Sequence, residues 1–229
     1  PSDEPDEGMS IALTVPADLV GLTNGKRLSE EKNADGTTTS RWEVTYPINN
    51  YLVSVNIAPY VPIEATYNGI DGTLDEKILF WALPEHEEKA RAMWKQAPKM
   101  LEVLGRRFGE YPFLRDKYWV VETPYLGMEH QTIVAYGADF EDNKFGFDSL
   151  LLHETAHEWW GNKITAADWG DFWIHEGFGT YAEAVFVNDT LGVEKYLEYM
   201  RRPRRHLGNR QPIVQGRDLT AGAAYVGDI

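Results

Sequence analysis

The segment Leu150-Leu-Leu-His153-Glu154-Thr-Ala-His157 places two histidines four positions apart, with a glutamate directly after the first. On a helix, residues four apart share a face, with Cβ atoms about 5–6 Å from one another. Two imidazoles so placed can reach one small cation at roughly 2.0–2.1 Å, a donor type and distance that suit zinc. Glu154 lies about 100° round the helix from His153. It is poorly placed to ligate and well placed to take a proton from a metal-bound water, whose pKa zinc lowers to about 7. The competing reading is a core-facing helix with two histidines and a solvated glutamate.

A third ligand sharpens the pattern, because a catalytic zinc keeps three protein ligands and one open position. The Gly-then-His continuation of metzincins is absent, since positions 160 and 163 hold Trp160 and Lys163. Glu176 instead follows His157 by nineteen positions, inside Trp173-Ile-His-Glu176-Gly-Phe-Gly-Thr-Tyr-Ala-Glu183. A loop through Gly161 and Gly170 would let its helix pack antiparallel to the first. His175 is the rival ligand; about 100° of helical rotation separates it from Glu176, so only one faces the metal. Glu176 is the reading taken. Glu183 lies two turns farther along that face and could orient a ligand imidazole from behind, or equally form a plain surface ion pair.

Elements that could hold these residues are legible at coarse grain. Residues 1 to about 60 read as β: Ile11, Leu13 and Val15 alternate with polar or small neighbours, as do Trp42, Val44 and Tyr46. Asn24-Gly25 is a hairpin signal, and Tyr51 to Ile57 reads as a further strand. Pro59, Pro62, Gly69 and Gly72 mark a boundary near 60, after which helical signals dominate. A helix beginning at Pro84 carries apolar residues from Ala90 to Phe108 at spacings of three and four, with a kink expected at Pro98. Tyr118 to Glu122 and Thr132 to Tyr136 read as strands around a Gly-bearing loop. Asp148 or Ser149 can cap a helix reaching about Trp160, and further helices are expected from about Asp171 to Asn188 and from Val193 to about His206. Trp159, Trp160, Trp169 and Trp173 are expected to pack around the metal helices, and Arg201-Arg202-Pro203-Arg204-Arg205 reads as a solvated helix end.

Composition bounds the partners. The 229 residues carry 22 basic and 36 acidic side chains, a net charge of −14, which argues against nucleic-acid or anionic-membrane partners. A hydrophobic fraction of 43% supplies a core, and no 18-residue apolar run would span a membrane. With no cysteine, metal ligands must be His, Asp or Glu, and the compartment stays open.

The stretches H-E-T-A-H-E-W-W-G-N and W-I-H-E-G-F-G-T-Y-A-E resemble the gluzincin zinc aminopeptidases of the aminopeptidase N family, in a bacterial-type member. Leu126-Gly127-Met128-Glu129-His130 is similar to that family's G-x-M-E-N motif, in which the Glu binds the substrate's free α-amine. Leu126 and His130 depart from it, as does His175, where the family commonly has Asn. The resemblance implies an α+β fold, with residues 61–229 a thermolysin-like catalytic domain cut short and residues 1–60 the last strands of an all-β N-terminal domain. It implies one zinc held by His153, His157 and Glu176, Glu154 as general base, Glu129 as amine binder, and Gly127 and Met128 lining the cleft. Peptides with a free N-terminus are the implied substrates; a gluzincin endopeptidase and a pseudo-peptidase interaction domain are the rival readings. The chain begins without Met and reads as a fragment. The family's oxyanion-stabilising Tyr, within a Tyr-x-Lys-Gly-type stretch, has no match here, since Tyr225 is followed by Val226-Gly227. It is expected beyond Ile229, leaving this chain zinc-binding but weakly active or inactive.

Overall fold

The computed structural model describes residues 4–206, 208, 212–214 and 216–224, and for 202, 203 and 206 the backbone alone. Tyr225 lies outside the described residues.

The alternating N-terminal segments form two small sheets. Strands β1 (Met9–Pro16), β3 (Lys26–Lys32) and β4 (Thr37–Val44) make an antiparallel sheet in the order β1-β4-β3, and β2 (Val20–Thr23) pairs antiparallel with β5 (Val55–Ala58). Asn24-Gly25 does not close a hairpin: β2 and β3 belong to different sheets, and the dipeptide carries the chain from one to the other. The strand expected from Tyr51 is shorter. A 3-10 turn occupies Asn50–Leu52, because the Asn49 side chain accepts from Tyr51 N at 3.3 Å, and extended pairing starts only at Val55.

Beyond residue 60 the helical expectation is corrected by two strands, β6 (Val61–Tyr67) and β7 (Glu76–Ala82). They join β8 (Trp119–Glu122), β9 (Gly127–Met128) and β10 (Ile133–Tyr136) in a five-stranded sheet ordered β6-β7-β8-β10-β9. The β7–β8 and β8–β10 pairs are parallel; the two outer pairs are antiparallel. Strand β7 buries Ile78 and Phe80 on one face and Leu79 and Trp81 on the other. A strand covered on both faces has no polar alternation, so its apolar run does not announce itself as β.

Helices α1 (Glu87–Trp94), α2 (Ala97–Phe108) and α3 (Ser149–Ala156) cover the first face, packing Met93, Trp94, Met100, Leu101, Leu104, Leu151 and Leu152 on Phe80, Val120, Val134 and Tyr136. Leu22, Trp42 and Tyr60 from the N-terminal strands cover the second, against Leu79, Trp81, Val121 and Ile133. Pro98 does not kink a continuous helix. The chain breaks between α1 and α2, and Pro98 sits in the first turn of α2, where a missing N–H costs nothing. Helix α4 (Trp173–Leu191) starts slightly later than expected, after a 3-10 turn at Trp169–Asp171, and packs against α3 and α5 (Val193–His206). A short helix α6 (Ala221–Ala224) follows. Arg201, Arg204 and Arg205 are exposed on α5. No helix among the described residues is long and apolar enough to cross a membrane.

Asn24 ties the N-terminal layer to the sheet's far edge. Fully buried, it donates to Leu52 O at 2.9 Å and Gln131 O at 2.6 Å, and accepts from Ser54 N at 2.8 Å. Asn24→Ala strands three buried backbone groups, each costing about 1–3 kcal/mol unpaired. The expected loss is at least about 3 kcal/mol, the low end of that range for three groups, read as a lower urea midpoint at unchanged m-value.

Candidate metal centre

Helix α3 begins where the Asp148 carboxylate accepts from Leu151 N at 2.9 Å. It ends at Ala156, four residues before the expected Trp160, but His157 keeps helical dihedrals and donates its N–H to His153 O at 3.3 Å. The two imidazoles therefore meet on one face, with Nε2 atoms 3.0 Å apart. Each outer nitrogen is engaged: His153 Nδ1 with Glu183 Oε1 at 2.7 Å, His157 Nδ1 with Trp160 O at 2.9 Å. A carboxylate and a carbonyl only accept, so both Nδ1 atoms carry a proton and Nε2 is the atom that each ring can turn to a cation.

Glu176, in the first turn of α4, brings Oε2 to 3.4 Å from His153 Nε2 and 4.0 Å from His157 Nε2. One atom from each of the three residues lies within 4.8 Å of the other two. Donors at about 2.0–2.1 Å from a tetrahedral ion stand about 3.4 Å from one another, so this triangle fits a single zinc-like cation. Two lone pairs and a carboxylate this close repel unless a positive charge sits among them. The absence of a Cβ at Gly179 lets α4 approach, since one there would lie 2.9 Å from His157 Cε1.

The surrounding charges follow from burial and from that crowding. Burial disfavours the His153 cation, but Glu176 and Glu183 outweigh it and hold its pKa well above the ordinary value. Burial raises the Glu176 carboxyl, yet the hydrogen bond from His153 and the charge near His157 bring it below the usual range. Glu154, nearly buried, is pushed up to about 8 by burial, opposed by His153 and reinforced by Glu129, Glu176 and Glu183. A bound divalent ion acts in the opposite direction on that carboxyl. A Cβ at Gly127 would stand 2.5 Å from Glu154 Oε1, so the glycine makes room for this carboxylate.

Glu129 follows the edge strand β9, where Met128 is half-buried opposite Ala135, while Leu126 stays exposed. Only 3% exposed, Glu129 feels burial raising its pKa, but the nearby His175 and His157 hold it down to about 2. It is a buried anion whose field reaches His157 and Glu154. His175 does not join the metal triangle. Its Nε2 accepts from Ala166 N at 2.8 Å, and its Nδ1 faces Tyr51 and Glu129.

The fold thus gathers His153, Glu154, His157, Glu176, Glu183, Gly127 and Glu129. It adds residues to which the sequence assigned no role. Glu158 is fully buried, pushed up to about 8 by burial, and accepts from Thr132 N at 2.9 Å and from the Tyr111 hydroxyl at 3.1 Å. Thr132 has φ of 64°, a left-handed conformation rare for a β-branched residue, so Glu158 fastens a strained turn three residues after Glu129. The Tyr199 hydroxyl donates to Glu183 Oε2. Of the four tryptophans expected in the core here, only Trp159 is buried. Trp160 stacks on Phe178 with centroids 4.6 Å apart, and Trp169 meets Tyr51 edge-on at 5.0 Å.

The α+β scaffold thus sets two helical imidazoles against an acid from the next helix, with a carboxylate that does not ligate beside them, a donor set for one divalent cation. The profile of the Peptidase family M1 domain matches residues 94–215, just over half of the chain, and the chain belongs to that family. It is 26% identical over 211 residues to endoplasmic reticulum aminopeptidase 1 of Mus musculus, covering 85% of this chain and 22% of that protein. It is 26% identical over 187 residues to aminopeptidase N of Bos taurus, covering 76% of this chain and 19% of that one. The chain thus spans about a fifth of the length of these curated relatives. The crystal structure of the M1 zinc metallopeptidase from Deinococcus radiodurans superposes with a TM-score of 0.72 at 24% identity, covering 93% of this chain and 46% of that one. A mutant of that enzyme bound to a Tyr-Ser-Ala substrate superposes at 0.71 with 25% identity, over 90% of this chain and 45% of its own.

Proposed function

We propose that this protein is a zinc aminopeptidase that removes the N-terminal residue of peptides. The observation that carries the reading is the buried, ionised Glu129 beside the His153–His157–Glu176 triangle. An aminopeptidase must recognise an ammonium group a fixed short distance from the scissile carbonyl, and a carboxylate on a rigid sheet edge suits that task. Zinc, when bound, polarises that carbonyl and acidifies water. Glu154 takes the proton of the attacking water and hands it to the leaving amine. Glu183 and Trp160 O hold the two ligand imidazoles in the tautomer that leaves Nε2 free. Residues 1–60 and 61–229 are read as the end of an N-terminal β domain and part of a catalytic domain. The reading includes weak turnover by this chain alone, since no residue here matches the family's oxyanion Tyr; such a donor contributes about 10²–10³ in rate.

The test compares a free peptide with its N-acetylated form on the zinc-loaded protein. Cleavage confined to the free form, by at least about a hundredfold, is expected, because acetylation removes the charge that Glu129 receives. Equal cleavage of both would instead favour the endopeptidase reading. Gly127→Ala should lower turnover about ten- to a hundredfold at unchanged zinc content, because the new Cβ displaces the Glu154 carboxylate.

A further inference from the structure

Glu129 is buried to the point where its carboxylate needs partners, and they come from two distant parts of the chain. The Tyr51 hydroxyl, from the 3-10 turn of the N-terminal layer, donates to Glu129 Oε1 at 3.4 Å. His175, from α4, stands with Nδ1 3.3 Å from that hydroxyl and 3.9 Å from the same Oε1. The proton on His175 is placed by its other nitrogen: Nε2 accepts from Ala166 N at 2.8 Å, so Nδ1 is the donor. The donors therefore all point one way, from Ala166 N–H to the imidazole, from the imidazole to the phenol, and from the phenol to the carboxylate. Aromatic packing fixes both intermediates: the Tyr51 ring lies 5.0 Å from Trp169, and the His175 ring 5.0 Å from Phe172. The relay ends on one oxygen of Glu129, with His175 Nδ1 3.9 Å behind it.

We propose that Tyr51 and His175 are positioning residues of the amine subsite, holding Glu129 by Oε1 so that Oε2 remains the acceptor for a substrate ammonium. The proposal rests on the reading of Glu129 as the amine-binding group and goes beyond it. It makes the N-terminal β layer part of the substrate site. It also gives His175 a task that has nothing to do with ligating metal. A carboxylate oxygen that receives a hydroxyl itself held by a second donor is anchored, and hydrogen bonds to charged groups are the strong ones, so removing either link should loosen the ammonium contact specifically.

Calorimetric titration of the zinc-loaded chain with L-leucinamide and with N-acetyl-L-leucinamide tests this, with Tyr51→Phe, His175→Ala and His175→Gln beside the parent protein. The parent is expected to bind the free amine at least tenfold more tightly than the acetylated form. Tyr51→Phe keeps the ring on Trp169 and should cut that preference roughly three- to tenfold, with zinc content and affinity for the acetylated amide unchanged. His175→Ala should do the same, and His175→Gln, which can still accept from Ala166 N and donate toward Tyr51, should restore part of it. A merely structural role would weaken both amides together. A parent that binds both amides alike overturns the amine-subsite reading and this inference with it. A discriminating parent whose preference survives in Tyr51→Phe and His175→Ala overturns this inference alone.

Discussion

Zinc added to the metal-free protein is expected to bind at one equivalent per chain and to raise the unfolding temperature with metal concentration. Binding to the folded state alone stabilises by RT ln(1 + [L]/Kd), about 4 kcal/mol when free zinc is a thousand times Kd. The dependence arises because the site exists only when α3 and α4 are packed: His153 and His157 come from one helix and Glu176 from the other. Glu176→Ala removes the only acidic ligand and leaves two lone pairs 3.0 Å apart, so bound zinc should fall below detection after dialysis. Glu183→Ala should act more mildly, weakening zinc about 10–100-fold, because the imidazole of His153 loses the acceptor that fixes its tautomer. Metal analysis of the purified proteins checks all three. A full equivalent of zinc retained by Glu176→Ala would refute the ligand set.

Glu154→Gln should leave zinc in place and lower turnover about 10²–10⁴-fold, the range that a positioned general base contributes. The amide is the same size as the carboxylate, so it fits the space that Gly127 provides. Neither Glu154 oxygen belongs to the metal triangle, so metal content should separate this variant from Glu176→Ala. The pair of measurements, zinc by elemental analysis and release of p-nitroaniline from an aminoacyl anilide, distinguishes loss of the proton carrier from loss of the ion. Glu154→Gln with parental turnover would remove the general-base assignment.

How much of this was legible beforehand varies by element. Helices α3 and α4 could be read because their landmarks are local: Asp148 caps the first, and four-residue spacing puts His153 and His157 on one face. Strand β7 was not legible, since burial on both faces erases the alternation that identifies a strand, whereas β6 does alternate and was hidden by the boundary read from Pro59 and Pro62. The Asn24-Gly25 turn has the chemistry of a hairpin, but long-range pairing of β2 with β5 overrides it. Glu158 stands directly after a ligand, yet its partners Thr132 and Tyr111 lie 26 and 47 positions away. No spacing rule connects them.

The sequence by itself determined the pairing of His153 with His157, because helical periodicity is a property of adjacent residues and needs no tertiary contact. It also put a carboxylate after a glycine at Glu129. Tertiary structure alone decided what holds that carboxylate. Tyr51 is 78 positions before Glu129, and His175 stood as the rival metal ligand until the fold gave its Nε2 the N–H of Ala166. Which of two adjacent residues faces an ion depends on where the helix is docked, and docking is set by the packing of its whole apolar face.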